Sequence, residues 1–278
     1  MKVFGADIII GEFIASHHGC MLFSFDFDHG INEEDTNISV ETQEEFIADN
    51  PVPVYVGQHY ASKLHPEVVL TKLICSSDET DFFTEYECRA ILRLITGQRG
   101  YQWMKIVTDD PGEDIWYRSR TTSVSYVKLG GDVLGIKLNM ECDSQFAWSQ
   151  EIITNISAKA NQPFYIFSNS DDLNNYIYPN VDIIPSSSGS LEVRNTEDNN
   201  WLVKLDDIIA RETIRYDCKN EIIDGSRNDS GQAIINYLDN SNIHFFRLLP
   251  GKNSFISNID AQFTFRFREP RKVAFVTT

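Results

Sequence analysis

The segment Phe263-Thr264-Phe265-Arg266-Phe267-Arg268 sets three phenylalanines against polar partners with a strict period of two. Successive side chains of a strand point to opposite faces, so this pattern fits a half-buried strand and no helix. Pro270, which has no amide to give a ladder, ends it. The same period recurs along the chain. In Asp132–Cys142, Ile136, Leu138, Met140 and Cys142 alternate with Lys137, Asn139 and Glu141, and Gly130-Gly131 supplies the tight turn from Trp116–Leu129. Eighteen Phe, eleven Tyr and four Trp strengthen the expectation of sheet.

Further strands are expected at 3–14, Met21–Phe27, Val52–Val56, Glu67–Cys75 and Tyr101–Val107. Beyond a change of character at 143–160, short strands recur at Phe164–Ser168, Asn180–Ile184, Gly189–Asn195, Trp201–Leu205, Thr213–Asp217, Glu221–Asp224, Phe245–Leu248, Ser254–Ser257 and Ala261–Arg268. Such spacing with polar turns fits a β-sandwich. One helix interrupts the pattern. Thr84-Glu85-Tyr86-Glu87 is a capping box, and Cys88, Ile91, Leu92 and Ile95 form one apolar stripe. Gly97 stands where a left-handed C-terminal cap belongs. The acidic stretch 28–50 reads as a long exposed loop or flexible hairpin.

The fold class is therefore mainly β with one clear α-helix. A chain of 278 residues sits near the size at which one core stops growing, which predicts two domains, 1–150 and 151–271. The tail 272–278 is expected to return to the first domain as an added strand, because a loose apolar strand is an exposed edge.

A formal net charge of −17 disfavours tight binding to phosphate backbones. Five widely spaced cysteines form no C-x-x-C pair, which argues against a zinc ribbon and fits synthesis in a reducing cytoplasm. The first residues lack the long apolar core of a signal peptide, and no run is long enough for a membrane span.

Catalytic and metal motifs fail on inspection. His17 and His18 are adjacent, so in a strand they point apart and cannot both reach one ion with Cys20. Asp26-Phe27-Asp28-His29-Gly30-Ile31-Asn32 resembles a calcium loop but has Ile31 at the glycine position and Asn37 at the bidentate one. Gly130-Gly131 with Gly135 lies between strands, and Gly251-Lys252 lacks the rest of a phosphate loop. Cys218 and His244 have no sequence reason to meet, and among 41 acidic residues no glycosidase pair stands out. The expectation is a protein without enzymatic activity, cofactor or metal.

One stretch is more specific. It carries Arg89, Arg93-Leu94-Ile95-Thr96-Gly97-Gln98-Arg99-Gly100-Tyr101-Gln102-Trp103, then Tyr126-Val127-Lys128-Leu129-Gly130-Gly131, then Gly135-Ile136 and Met140-Glu141-Cys142-Asp143-Ser144-Gln145-Phe146-Ala147-Trp148. Leu249-Pro250-Gly251-Lys252-Asn253 adds a second echo before two closing strands. With these residues, Phe82 to Trp148 resembles the distal tail proteins of long-tailed phages.

That resemblance implies an N-terminal ring-forming (belt) domain and a galectin-like C-terminal β-sandwich. It also implies a hexameric ring at the virion tail tip, assembled in the host cytoplasm. Its partners would be other copies of itself, the tail tube protein, and a tail-associated lysin or receptor-binding protein. On this reading Glu33–Glu45 is a candidate for facing a DNA-conducting bore. The rival reading is a carbohydrate-binding adhesion module at the host surface. Trp201, Tyr176 and Tyr178 are its candidate glycan contacts, because sugars stack on aromatic faces.

Overall fold

The computed structural model describes residues 7–23, 40–48, 51–60, 62–72, 82–107, 112, 114–226 and 235–273. Asp26–Asn32, residues 33–39, Cys75 and the tail from 274 on lie outside them. The chain divides into two compact units, Met1–Trp148 with Lys272–Thr278, and Ser149–Arg271.

The first unit holds β1 (Asp7–Ile10), β2 (Phe13–Ile14), β3 (Cys20–Leu22), β4 (Val40–Glu45), β5 (Val54–Tyr60), β6 (Glu67–Lys72), α1 (Glu85–Thr96), β7 (Gln102–Val107), β8 (Trp116–Leu129), β9 (Asp132–Cys142) and β10 (Ala147–Trp148). Its main sheet runs β2-β1-β7-β8-β9-β6-β3, with β10 on β8, and among the described residues β4 and β5 form a separate two-stranded ribbon. The two ends of the path, β2 and β3, are joined by the short 3₁₀ turn Ser16–His18. Five residues of chain cannot span a flat seven-stranded sheet, so the sheet curls around its core. That core includes Ile8, Phe13, Leu64, Leu70, Met104, Ile136 and Leu138, and Val273 packs against it.

α1 starts as the sequence predicts. The Glu87 amide donates to Thr84 Oγ1 at 3.2 Å, and the Thr84 amide donates to Glu87 Oε2 at 2.7 Å. Cys88, Ile91 and Ile95 are its buried stripe. The expected left-handed cap at Gly97 is absent, because Gly97 has φ −75°. The residue must be glycine for another reason: a Cβ there would strike the Arg93 carbonyl oxygen. The positive φ falls three residues later, at Gly100, with φ +73°.

The second unit holds β11 (Ile152–Ala158), β12 (Pro163–Ser168), β13 (Asn180–Pro185), β14 (Gly189–Asn195), β15 (Trp201–Ile208), β16 (Thr213–Asp217), β17 (Ile222–Ser226), β18 (Ile235–Asn236), β19 (Gly251–Ser257), β20 (Ala261–Phe267) and β21 (Pro270–Arg271). A six-stranded sheet, β11-β20-β13-β16-β17-β18, faces a four-stranded one, β12-β19-β14-β15. Phe263, Phe265 and Phe267 are all buried in the core between them, as their alternation requires.

One strand here was not expected, and one expected strand is absent. Residues 143–160 carry a full strand, β11, whose seven residues pair with β20. Its faces alternate only weakly in hydrophobicity, since Ile153 is exposed while Ile152 and Ile156 are half-buried. The expected strand Phe245–Leu248 is a loop tied by a single bridge from Leu248 to Ile177. Phe245 and Phe246 are consecutive and both buried, which a strand with one wet face forbids. Phe246 instead plugs the sandwich, with ring centroids 5.2 Å from Tyr216 and 5.7 Å from Phe265.

Candidate assembly surface

The β4–β5 ribbon is strongly exposed. Val40 lies opposite Tyr60 and Glu45 opposite Val54, with an irregularity after Gln43. Every described side chain from Glu41 to Ala48 is exposed. Six of the solvent-facing residues on and around the ribbon's end are large and apolar: Phe46, Ile47, Val52, Val54, Tyr55 and Val56, with Phe46 at 80% and Tyr55 at 59% exposure. Val54 and Tyr55 are consecutive, both are exposed and they point to opposite faces, so both faces of the ribbon present apolar surface. An isolated two-stranded ribbon is marginally stable in water, and a concentration of exposed apolar groups marks a surface that a partner covers. The main sheet offers poorer templates, since its end strands β2 and β3 are two and three residues long.

The sequence-selected aromatic residues occupy the second unit. Tyr176 and Trp201 come together around Arg247, whose guanidinium carbon lies 4.1 Å from the Tyr176 ring centre and 3.6 Å from that of Trp201. His244 stacks on Trp201 with centroids 4.1 Å apart. Two planar groups that close to one ring centre cannot share a face, so Trp201 is covered on both sides. Its indole Nε1 donates to the Phe245 carbonyl at 2.9 Å. Arg247 in turn grips the buried Asp198 through Nε at 2.6 Å and a terminal nitrogen at 3.1 Å. Tyr178 stands apart from this stack and is 49% exposed.

The other chemically capable residues are held in structural roles. Cys20, Cys88, Cys142 and Cys218 are free and buried. Burial pushes the thiols of Cys20 and Cys142 up to about 12, and that of Cys218 higher still, so all three are un-ionised at neutral pH. His244 Nδ1 meets the Leu202 carbonyl at 2.8 Å. His18 stacks on Phe13, with centroids 5.1 Å apart. Among the described residues no three His, Cys, Asp or Glu side chains are placed to hold a metal ion. No helix among them is long and apolar enough to cross a membrane.

The run from Arg89 to Trp148 supplies a set of fasteners. Gln98 Nε2 donates to the Ile10 carbonyl at 3.2 Å, and the Gly11 amide donates to the Trp103 carbonyl at 2.9 Å, which locks the turn after β1 onto the start of β7. A Cβ on Gly11 would meet the Gln98 side chain. Tyr101 donates to Glu141 Oε1 at 2.8 Å, and Lys63 and Arg120 reach the same carboxylate at 2.9 and 3.3 Å. Asn253 does equivalent work in the second unit, taking the Leu249 amide at 2.8 Å and returning a bond to the Leu249 carbonyl at 2.9 Å.

Two family models account for nearly the whole chain: a phage tail protein N-terminal domain over residues 5–144 and a phage tail C-terminal domain over 146–267. The chain belongs to this phage tail protein family. Among solved structures, the tail protein is similar to the Dit protein of phage SPP1, which is described as a paradigm of the hub adsorption apparatus in phages infecting Gram-positive hosts. The TM-score is 0.61 at 12% identity, covering 94% of this chain and 98% of that one. It is also similar to a chain of the phage p2 baseplate in its activated conformation with Sr, with a TM-score of 0.50 at 11% identity, covering 97% and 99% of the two chains. At such identities the likeness is one of fold. No curated protein sequence matches the tail protein.

Proposed function

We propose that this tail protein is the structural hub of a long-tailed phage tail tip. It forms a closed hexameric ring that joins the tail tube to the tail-tip lysin or receptor-binding apparatus. It works by geometry, with no turnover and no cofactor. The observation that carries this reading is the β4–β5 ribbon. A two-stranded ribbon with apolar side chains on both faces fits a strand-pairing, side-chain-burying contact with a second copy. Repeated head to tail, one such contact per subunit generates a ring when its rotation closes. Family membership and the fold shared with the SPP1 protein support the same role. The net charge of −17 suits a ring that DNA must pass without adhering.

The test is a triple variant, Phe46→Ser, Val54→Ser and Tyr55→Ser, compared with the unaltered protein by size-exclusion chromatography with light scattering. These side chains belong to neither core, so the variant keeps its far-ultraviolet circular dichroism and loses the assembled species. A variant that assembles as well as the parent protein removes the ribbon from the account.

A further inference from the structure

We propose that the solvent face of α1 in one copy is the seat for the acidic β4–β5 ribbon of the next copy. The inference rests on the ring reading above and names the surface that receives the ribbon. α1 turns Cys88, Ile91 and Ile95 into the core, so its opposite face carries Tyr86, Arg89, Ala90, Arg93 and Leu94, all exposed. With about 3.6 residues per turn, Tyr86, Ala90 and Arg93 fall in one row opposite Ile95, and Arg89 flanks it. Arg99 adds a third exposed guanidinium just past the helix end.

These cations are uncommitted. Elsewhere in the first unit Lys63, Lys72, Lys105, Arg118, Arg120 and Lys137 all bridge carboxylates. Among the described residues, the side chains of Arg89, Arg93 and Arg99 form no hydrogen bond or ion pair. Even Glu85, four residues before Arg89 and placed for a pair along the helix surface, makes none. The stripe is thus a positive face on a chain of net charge −17. Tyr86, 82% exposed, and Leu94 lie within it, and arginine beside exposed aromatic and apolar side chains is the composition of a contact surface.

The ribbon supplies the complement. Glu44 lies opposite Tyr55 and Glu45 opposite Val54, so each ribbon face sets a carboxylate beside an exposed apolar side chain. Neither Glu44 nor Glu45 is ion-paired among the described residues. α1 offers the opposite charge with the same apolar companions: Arg89 and Arg93, one turn apart, beside Tyr86 and Leu94. A guanidinium both forks onto a carboxylate and lies flat on an aromatic ring, so it suits Glu44 and Tyr55 together. Within one chain the ribbon stays exposed and these arginines unpaired, so the match is made between copies. A nucleic-acid occupant is opposed by the charge of the whole chain.

The test is charge reversal in the full chain, read by light scattering across a concentration series. Arg89→Glu with Arg93→Glu and, separately, Glu44→Arg with Glu45→Arg each raise the concentration needed for assembly by about tenfold or more. All four side chains are exposed, so circular dichroism stays that of the parent. An equimolar mixture of the two double variants assembles again, because each altered surface then meets its opposite sign. Charge-reversed helices that assemble like the parent, or a mixture that stays dissociated, overturn the proposal. A duplex oligonucleotide bound by the parent and released by Arg89→Glu with Arg93→Glu assigns the stripe to nucleic acid and overturns it too. If the Phe46, Val54 and Tyr55 triple variant dissociates while the charge-reversed helix assembles, the ribbon reading survives and the α1 seat alone falls. A parent chain that stays monomeric at every concentration overturns both.

Discussion

Tyr237 directs its hydroxyl at both carboxylate oxygens of Glu212, at 2.7 and 2.8 Å, and both residues are essentially sealed from solvent. Glu212 Oε1 also accepts the Ile209 amide at 2.6 Å, which fastens the turn between β15 and β16. Among the described residues no cation pairs with this carboxylate. Tyr237→Phe keeps the ring and removes the donor, so it destabilises the second unit by about 1–3 kcal/mol. Urea unfolding followed by circular dichroism measures this. A midpoint equal to the parent's shows that the contact contributes nothing. Gly225→Ala reports on the same spot, because its new Cβ would enter the Tyr237 ring and displace it.

Arg247 has a comparable burden. It neutralises Asp198, which is almost wholly buried, and separates Tyr176 from Trp201. Arg247→Ala leaves a buried charge unpaired and opens one face of the indole, at a cost of about 3–5 kcal/mol. Arg247→Met, which fills the slot without the charge, leaves the same carboxylate unpaired and recovers only the packing. Thermal melts separate the two contributions, and an unshifted transition for Arg247→Ala contradicts the structural role.

Acid sensitivity in the first unit should trace to Glu141. The hydrogen bonds from Lys63, then Tyr101, then Arg120 pull its carboxyl from an ordinary value of 4.5 to about 2. A folded-state value below the unfolded one gives stability that is fully present above about pH 4.5 and is lost as pH falls through about 2. Glu141→Gln therefore melts below the parent at neutral pH, and the gap narrows steadily between pH 4.5 and 2. The site is exposed enough for salt to screen part of the effect. A gap independent of pH assigns the loss to packing and away from the charge.

Much of the architecture was legible because it rests on local rules. The Thr84–Glu87 box, the stripe Cys88-Ile91-Ile95 and the glycine pair at 130–131, with φ +63° and +111°, each follow from a few adjacent residues. Strand β11 was missed because half of its pattern is hidden: Ile153 faces solvent, so hydrophobicity does not mark the face. Phe245–Leu248 misled in the opposite way, since its apolar residues fill the sandwich core as a loop plug. The aromatic candidates were half informative. Sequence shows that Trp201 and Tyr176 are available rings, but only the tertiary fold brings Arg247 between them.

The mass of the purified protein in solution tests the central claim most directly. Light scattering across a concentration series, with negative-stain imaging of the same peak, should give about six times the 31.8 kDa chain and annular particles. A species that stays at 31.8 kDa at every concentration, with no rings on the grid, contradicts the account of the β4–β5 ribbon as the contact that builds a tail hub.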